Sequence, residues 1–227
     1  MIGVFDSGAG GALTVGLLRK LSPLTDIAFL ADRKNAPYGT RSEDEVASLA
    51  KRSIARLRAL GAERILIACC TASSVYERLG DCERAVSLPI IEPTAARAAR
   101  LSKSGRIGVL ATERTVKSRA FSRAILRHLP SAFVTEIPAS PLVPLIEGGM
   151  RDGNITEDRY GLLLGLLSPF MKERTDTLVL GCTHFPYIME TVARLLPSVE
   201  IISSAHEGAA LAARYAAKEQ GKILYTE

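Results

Sequence analysis

Apolar residues in this chain gather in short runs with polar, helix-like stretches between them. The runs Ile2–Phe5, Asp26–Leu30, Arg64–Ala68, Pro89–Ile91, Arg106–Leu110, Phe133–Ile137, Thr177–Leu180 and Glu200–Ile202 are mostly continuous rather than alternating. Continuous runs suit strands covered on both faces, as in a parallel sheet flanked by helices. The clearest helix follows Ser42. Ser42 and Glu45 have the spacing of a capping box, Val46, Leu49, Ile54, Leu57 and Leu60 keep helical spacing, and Gly61 stops the pattern. Further helices are expected over Thr71–Leu79 and Pro186–Leu196. Strand alternating with helix predicts an α/β fold.

The runs also fall into two sets of four. Ile2-Gly3-Val4 is echoed by Ile107-Gly108-Val109, and Ile27–Leu30 by Ala132–Thr135. Ile65-Leu66-Ile67-Ala68-Cys69 is echoed by Leu178-Val179-Leu180-Gly181-Cys182, and Ile90-Ile91 by Ile201-Ile202. The order and near-constant offset predict two similar lobes, each a mostly parallel four-stranded sheet flanked by helices, with a site in the cleft between them. Residues 1–95 with 206–227 are expected to form the first lobe and 96–205 the second. Pro89 and Pro93 flank the expected hinge.

Composition narrows the class. The chain has 227 residues, 47% hydrophobic and 23% charged, which is an ordinary globular mixture. No apolar stretch approaches the roughly 20 residues of a membrane span, and the N-terminus lacks a signal-peptide pattern, so a cytoplasmic protein without a membrane partner is expected. The net charge of +5 is concentrated around 106–127, where Arg119, Arg123 and Arg127 recur at helical spacing. One short basic stripe reads as a solvated face rather than a nucleic-acid site. Four cysteines, at 69, 70, 82 and 182, show no C-x-x-C spacing.

Each half places a cysteine where an apolar strand gives way to a polar loop: Ala68-Cys69-Cys70-Thr71-Ala72-Ser73 and Gly181-Cys182-Thr183-His184. One such cysteine would read as core; two in matching places of a duplicated fold read as chemistry. Ligands in open α/β sheets bind beyond the carboxyl ends of strands. A following helix N-terminus would favour the thiolate and lower each thiol's pKa. Two thiols facing each other across a cleft suit proton removal from a carbon acid on one face and delivery on the other, which is racemase or epimerase chemistry. His184 is placed to assist Cys182. Asp6-Ser7-Gly8-Ala9-Gly10-Gly11 completes neither a Walker A loop nor G-x-G-x-x-G, and either caps a turn or holds a substrate carboxylate or amine. Asp32 and Pro37-Tyr38-Gly39-Thr40 follow the second strand on the same expected rim. A metal site built from Cys69, Cys70, Cys182 and His184 is disfavoured, because adjacent cysteines strain a tetrahedral site.

Asp6-Ser7-Gly8, Pro37-Tyr38-Gly39, Cys69 with Thr71-Ala72-Ser73, and Gly181-Cys182-Thr183-His184 together resemble glutamate racemase, of the cofactor-independent aspartate/glutamate racemase superfamily. The resemblance runs from Ile2 to about Ala213. It implies that Cys69 exchanges the α-proton with D-glutamate and Cys182 with L-glutamate, with Asp6 and His184 assisting. It further implies that Ser7, Pro37, Tyr38, Gly39, Cys70, Thr71 and Thr183 surround the substrate, with Asp32 and Glu147 nearby. No cofactor or metal is implied; a homodimer is, and D-glutamate would feed peptidoglycan synthesis. By the same resemblance, the start at Met1-Ile2 argues against the members whose N-terminal extension binds a cell-wall precursor as activator, and no such activation is expected.

Three departures stand out. Cys70 replaces the Asn usual after the first cysteine, Ala12 resembles an insertion, and Glu113-Arg114-Thr115 replaces a glycine-containing turn. Cys70 keeps alternatives open: a racemase of aspartate or another amino acid, or a catalytically weak carboxylate-binding protein.

Overall fold

Buried aliphatic runs become the centres of two parallel sheets in the computed structural model, which describes residues 1–216 and 223–226. The strands are β1 (Ile2–Asp6), β2 (Ile27–Ala31), β3 (Arg64–Ile67), β4 (Ser87–Pro89), β5 (Arg106–Ala111), β6 (Phe133–Pro138), β7 (Thr177–Gly181), β8 (Glu200–Ser203) and β9 (Ile223–Thr226). In β1, β2 and β7 all five residues are buried, which is why these strands carry no polar alternation. The helices are α1 (Gly11–Leu21), α2 (Glu43–Ala59), α3 (Cys70–Ser73), α4 (Asp81–Val86), α5 (Ile91–Leu101) and α6 (Glu113–Ser118). They continue with α7 (Ala120–His128), α8 (Leu142–Glu147), α9 (Glu157–Lys172), α10 (Met189–Leu195) and α11 (Ser204–Ala213). Among the described residues no helix is long and apolar enough to cross a membrane.

The first sheet runs β4-β3-β1-β2-β9 and the second β6-β5-β7-β8. With β1 matched to β5, β2 to β6, β3 to β7 and β4 to β8, the two sheets have the same strand order, and β9 is an addition to the first. The register refines the repeat. Ile27 stands opposite Ile2, and Val134, not Ala132, stands opposite Ile107. Ser87 pairs with Ile65 as Ile201 pairs with Leu178, so Ser87 rather than Ile90 is the counterpart of Ile201. The expected strand Pro89–Ile91 therefore lies two residues too late. Ile90 is already helical, its carbonyl accepts from Thr94 Oγ1 at 2.6 Å, and Pro93 falls in the first turn of α5, where a missing N–H costs nothing. The prolines read as hinge flanks end a strand and start a helix.

Helix α2 has the predicted cap: Ser42 Oγ accepts from the Glu45 amide at 3.3 Å, and Glu45 Oε2 accepts from the Ser42 amide at 2.9 Å. Such a cap contributes about 1 kcal/mol. Gly61, at φ +92°, provides the left-handed residue just past the helix. The basic stripe does not form one helical face. Arg119 sits at φ 55° between α6 and α7, and only Arg123 and Arg127 ride on α7, where Arg127 pairs with Glu92.

One apolar cluster spans both sheets. Ile2, Val4 and Leu66 of the first and Ile107, Val109 and Val179 of the second meet through Ala95 and Ala98 of α5 and Ala209 and Ala212 of α11. Small side chains let α5 and α11 approach closely at this seam, and at Gly208 an added Cβ would come 2.6 Å from Ile90 Cδ1. Of the tail 206–227 assigned to the first lobe, 217–222 and 227 lie outside the described residues.

Candidate active site between the two sheets

Parallel strands bring their carboxyl ends to one rim, and the rims of the two sheets face each other. Ser7 follows β1, Cys69 and Cys70 follow β3, Thr112 follows β5, and Cys182, Thr183 and His184 follow β7. These residues, with Pro37, Tyr38, Gly39, Thr71 and Glu147, line one cavity of about 460 Å³ between the lobes. Among the described residues no lysine or arginine lines it.

The loop after β1 reaches across the cleft. Gly8 N–H donates to Asp6 Oδ1 at 2.8 Å, and Thr183 of the opposite lobe donates to Asp6 Oδ2 at 3.1 Å. Two glycines permit this approach. A Cβ on Gly10 would overlap Thr183 Oγ1 and lie 2.8 Å from His184 Nδ1; one on Gly11 would lie 2.5 Å from Asp6 Cβ. Asp6 itself is fully buried beneath the cavity rather than on its wall. Burial raises its pKa, while His184, the Gly8 amide and Thr183 oppose the rise.

Around the first thiol, Ser7 Oγ and Cys69 Sγ are hydrogen-bonded at 3.1 Å. Around the second, Cys182 Sγ lies 3.7 Å from His184 Nδ1, and His184 Nε2 donates to Glu147 Oε1 at 2.9 Å. In the neutral imidazole that bond places the ring proton on Nε2 and leaves Nδ1 as an acceptor toward the thiol. Asp32 stands away from the cavity wall. It accepts from Tyr38 OH at 2.6 Å and from Asn35 Nδ2 at 2.8 Å, so the Tyr38 hydroxyl hydrogen points at Asp32. Burial and this bond push the tyrosine's pKa far above its ordinary value. Thr71 Oγ1 bonds to Thr112 Oγ1 at 2.9 Å and to Thr115 Oγ1 at 3.2 Å, a second polar link between the lobes.

The thiol pKa values run opposite to the expectation from helix N-termini. Burial pushes Cys69 up to about 11, with the Asp6 carboxylate adding to the rise and Ser7 opposing it. Burial also raises Cys182 and Cys70 well above their ordinary value. The expected helices are the reason. Thr71–Leu79 is one turn, α3, then a 3₁₀ turn at Tyr76–Arg78, and Pro186–Leu196 opens as a 3₁₀ turn, Phe185–Ile188, before α10. Such short elements have little dipole to set against desolvation of a thiolate. Burial therefore favours the protonated form of both Cys69 and Cys182 in the fold.

Ser140, Val143 and Pro144 line the cavity without having been marked by the sequence, and two polar residues, Thr112 and Ser204, also escaped it. Thr112 occupies in β5 the place that Ser7 holds in β1, so the repeat carried a signal for it. Ser204 accepts from Cys70 Sγ at 3.4 Å and donates to the Leu180 carbonyl at 3.0 Å; nothing local marks it.

Comparison with known proteins adds the family. The family model "Asp/Glu/Hydantoin racemase" matches residues 2–212. The chain is 39% identical over 206 residues to the glutamate racemase of Desulforudis audaxviator, covering 90% of this chain and 74% of that protein. It is 36% identical over 213 residues to that of Exiguobacterium sibiricum, covering 92% and 76%. Among solved structures it resembles a glutamate racemase isoform of Bacillus anthracis, with a TM-score of 0.90, 28% identity and coverage of 99% and 87%. It also resembles the Francisella tularensis glutamate racemase in complex with D-glutamate, with a TM-score of 0.88, 26% identity and coverage of 100% and 88%.

Proposed function

The chain belongs to the Asp/Glu/hydantoin racemase family, and from that premise we propose that it is an isomerase interconverting L- and D-glutamate without a cofactor. The carrying observation is the pair Cys69 and Cys182. They occupy equivalent places after β3 and β7 and line opposite sides of one cavity. A thiolate on one wall takes the α-proton, and the protonated thiol on the other delivers a proton to the opposite face of the carbanion. One C–H bond breaks and one forms, so the substrate changes hand and the two sulfurs exchange protonation states. Cys69 serves D-glutamate and Cys182 serves L-glutamate.

The neighbours make this workable for thiols that rest protonated. His184 Nδ1 accepts the Cys182 proton, and Glu147 stabilises the imidazolium that forms. On the other wall Ser7 supports the Cys69 thiolate, and Asp6, whose charge is felt at Cys69, assists that cysteine. A glutamate lodged here meets neutral donors, the hydroxyls of Ser7, Thr71 and Thr183 and the amides of the loops. Binding it displaces water from the cleft and strengthens every such contact.

The lobes are taken as 1–95 with 206–227 and 96–205, working as a cytoplasmic homodimer whose product feeds peptidoglycan synthesis. The test is deuterium incorporation at Cα of D- and L-glutamate in D2O with no added cofactor. Exchange in both enantiomers is expected. Absence of exchange in either, with exchange in another amino acid, would move the assignment to that substrate.

A further inference from the structure

A second cavity of about 400 Å³ adjoins the first and shares Gly8, Ala36, Glu147 and His184 with it. Its character is different. Where the first has no lysine or arginine among the described residues, the second has Arg33 from the segment after β2 and Arg151 from the segment after α8. The two arginines thus come from opposite lobes.

Neither has a carboxylate partner among the described residues. Arg151 is nevertheless held in place. Its guanidinium stacks on the Tyr187 ring at 4.3 Å from the centroid and donates from one nitrogen to the carbonyls of Ile146 and Met150. A guanidinium fixed in this way has little side-chain entropy left to lose when it meets an anion, and its remaining N–H groups form a ready fork. Arg33 is exposed. Glu147, the one acidic side chain among the described residues on the wall, is engaged through Oε1 with His184, so these residues carry two arginine charges against one carboxylate.

We infer that this cavity is a binding site for a small dianion, a phosphate or a dicarboxylate, which Arg33 and Arg151 grip from opposite lobes. The volume exceeds that of a single ion and suits a small molecule. A ligand bridging the two arginines ties the lobes together beside the catalytic cleft and touches the wall formed by Glu147 and His184. The inference rests on the second cavity's own charges and does not require the racemase reading.

The experiment is titration calorimetry of the full chain with inorganic phosphate and, separately, with succinate, each repeated with D-glutamate present in excess. At least one probe is expected to bind in the millimolar range and to keep its affinity when D-glutamate is present. Arg33→Gln and Arg151→Gln are each expected to weaken that binding roughly tenfold or more. Phosphate alone binding would identify phosphate-bearing ligands, and succinate alone would identify dicarboxylates. Arg33→Gln keeps the test sound if Arg151→Gln disturbs the end of α8, because Arg33 lies on the surface. No binding by either probe, displacement by D-glutamate, or unchanged affinity in Arg33→Gln would overturn the proposal. A chain that binds the probe but fails to exchange Cα deuterium overturns the racemase reading alone.

Discussion

Cys70 Sγ donates a hydrogen bond to Ser204 Oγ at 3.4 Å, turning its one proton away from the cavity and into the seam between the lobes. Cys70 therefore offers the substrate a sulfur and no donor, where an asparagine would present an amide. Cys70→Asn is expected to lower KM for glutamate by roughly tenfold or more, since a missing hydrogen bond to a charged oxygen costs about 1–3 kcal/mol. Steady-state kinetics in both directions measures this. A higher KM would mark Cys70 as fitted to a different carboxylate.

Cys69→Ala and Cys182→Ala are each expected to abolish racemisation, with turnover falling by at least about 10²–10⁴-fold as an acid or base is removed. Circular dichroism of the substrate follows the reaction directly. Near wild-type turnover in either variant would sink the two-thiol mechanism.

The raised thiol pKa makes stability depend on pH in a defined window. Cys69 titrates from an ordinary 9.0 to about 11 in the folded chain, so the fold prefers the protonated thiol. Its contribution is complete below 9.0 and is lost as pH rises through about 11. Urea midpoints of the parent chain and Cys69→Ala, compared across that window, should show the parent losing stability relative to the variant. A constant difference would mean that burial does not perturb this thiol.

Gly10→Ala places a methyl group against Thr183 and the His184 ring. The overlap disturbs both the Thr183–Asp6 bond and the alignment of His184 on Cys182, and kcat is expected to fall roughly hundredfold, as a misplacement of about 1 Å can cost. Gly16→Ala is the control. It lies inside α1 with open space around its Cβ, and should stabilise the chain by up to about 1 kcal/mol without changing kcat. Equal kinetics for the two variants would show that Gly10 has no role in positioning.

The strands were legible in the sequence because a strand buried on both faces must be apolar throughout, as Ile65–Ile67 is. The paired thiols were legible because duplication displays the same position twice. One-turn elements such as α3 were not, since four residues hold no period. The direction of the thiol pKa shifts was hidden for a related reason: a dipole can be guessed from a helix start, but desolvation depends on what closes over the sulfur. Ser204 lies far along the chain from Cys70 and becomes its partner only through packing at the seam. Arg33 and Arg151 are likewise ordinary surface residues until two lobes bring them to one cavity.

Strand β9 pairs with β2 in parallel, from Ile27 opposite Ile223 to Leu30 opposite Thr226, and α11 lies on α1. The lobe that the chain begins is thus finished by residues made after every strand of the other lobe, which is contiguous from Arg106 to Ser203. During synthesis the second lobe can close while the first still waits, with the edge of β2 uncovered and its amides free to pair with another chain. The order in which the halves emerge from the ribosome is therefore the reverse of the order in which they can be completed, and until β9 arrives the open edge is that of β2, the strand that leads to Asp32 and Tyr38.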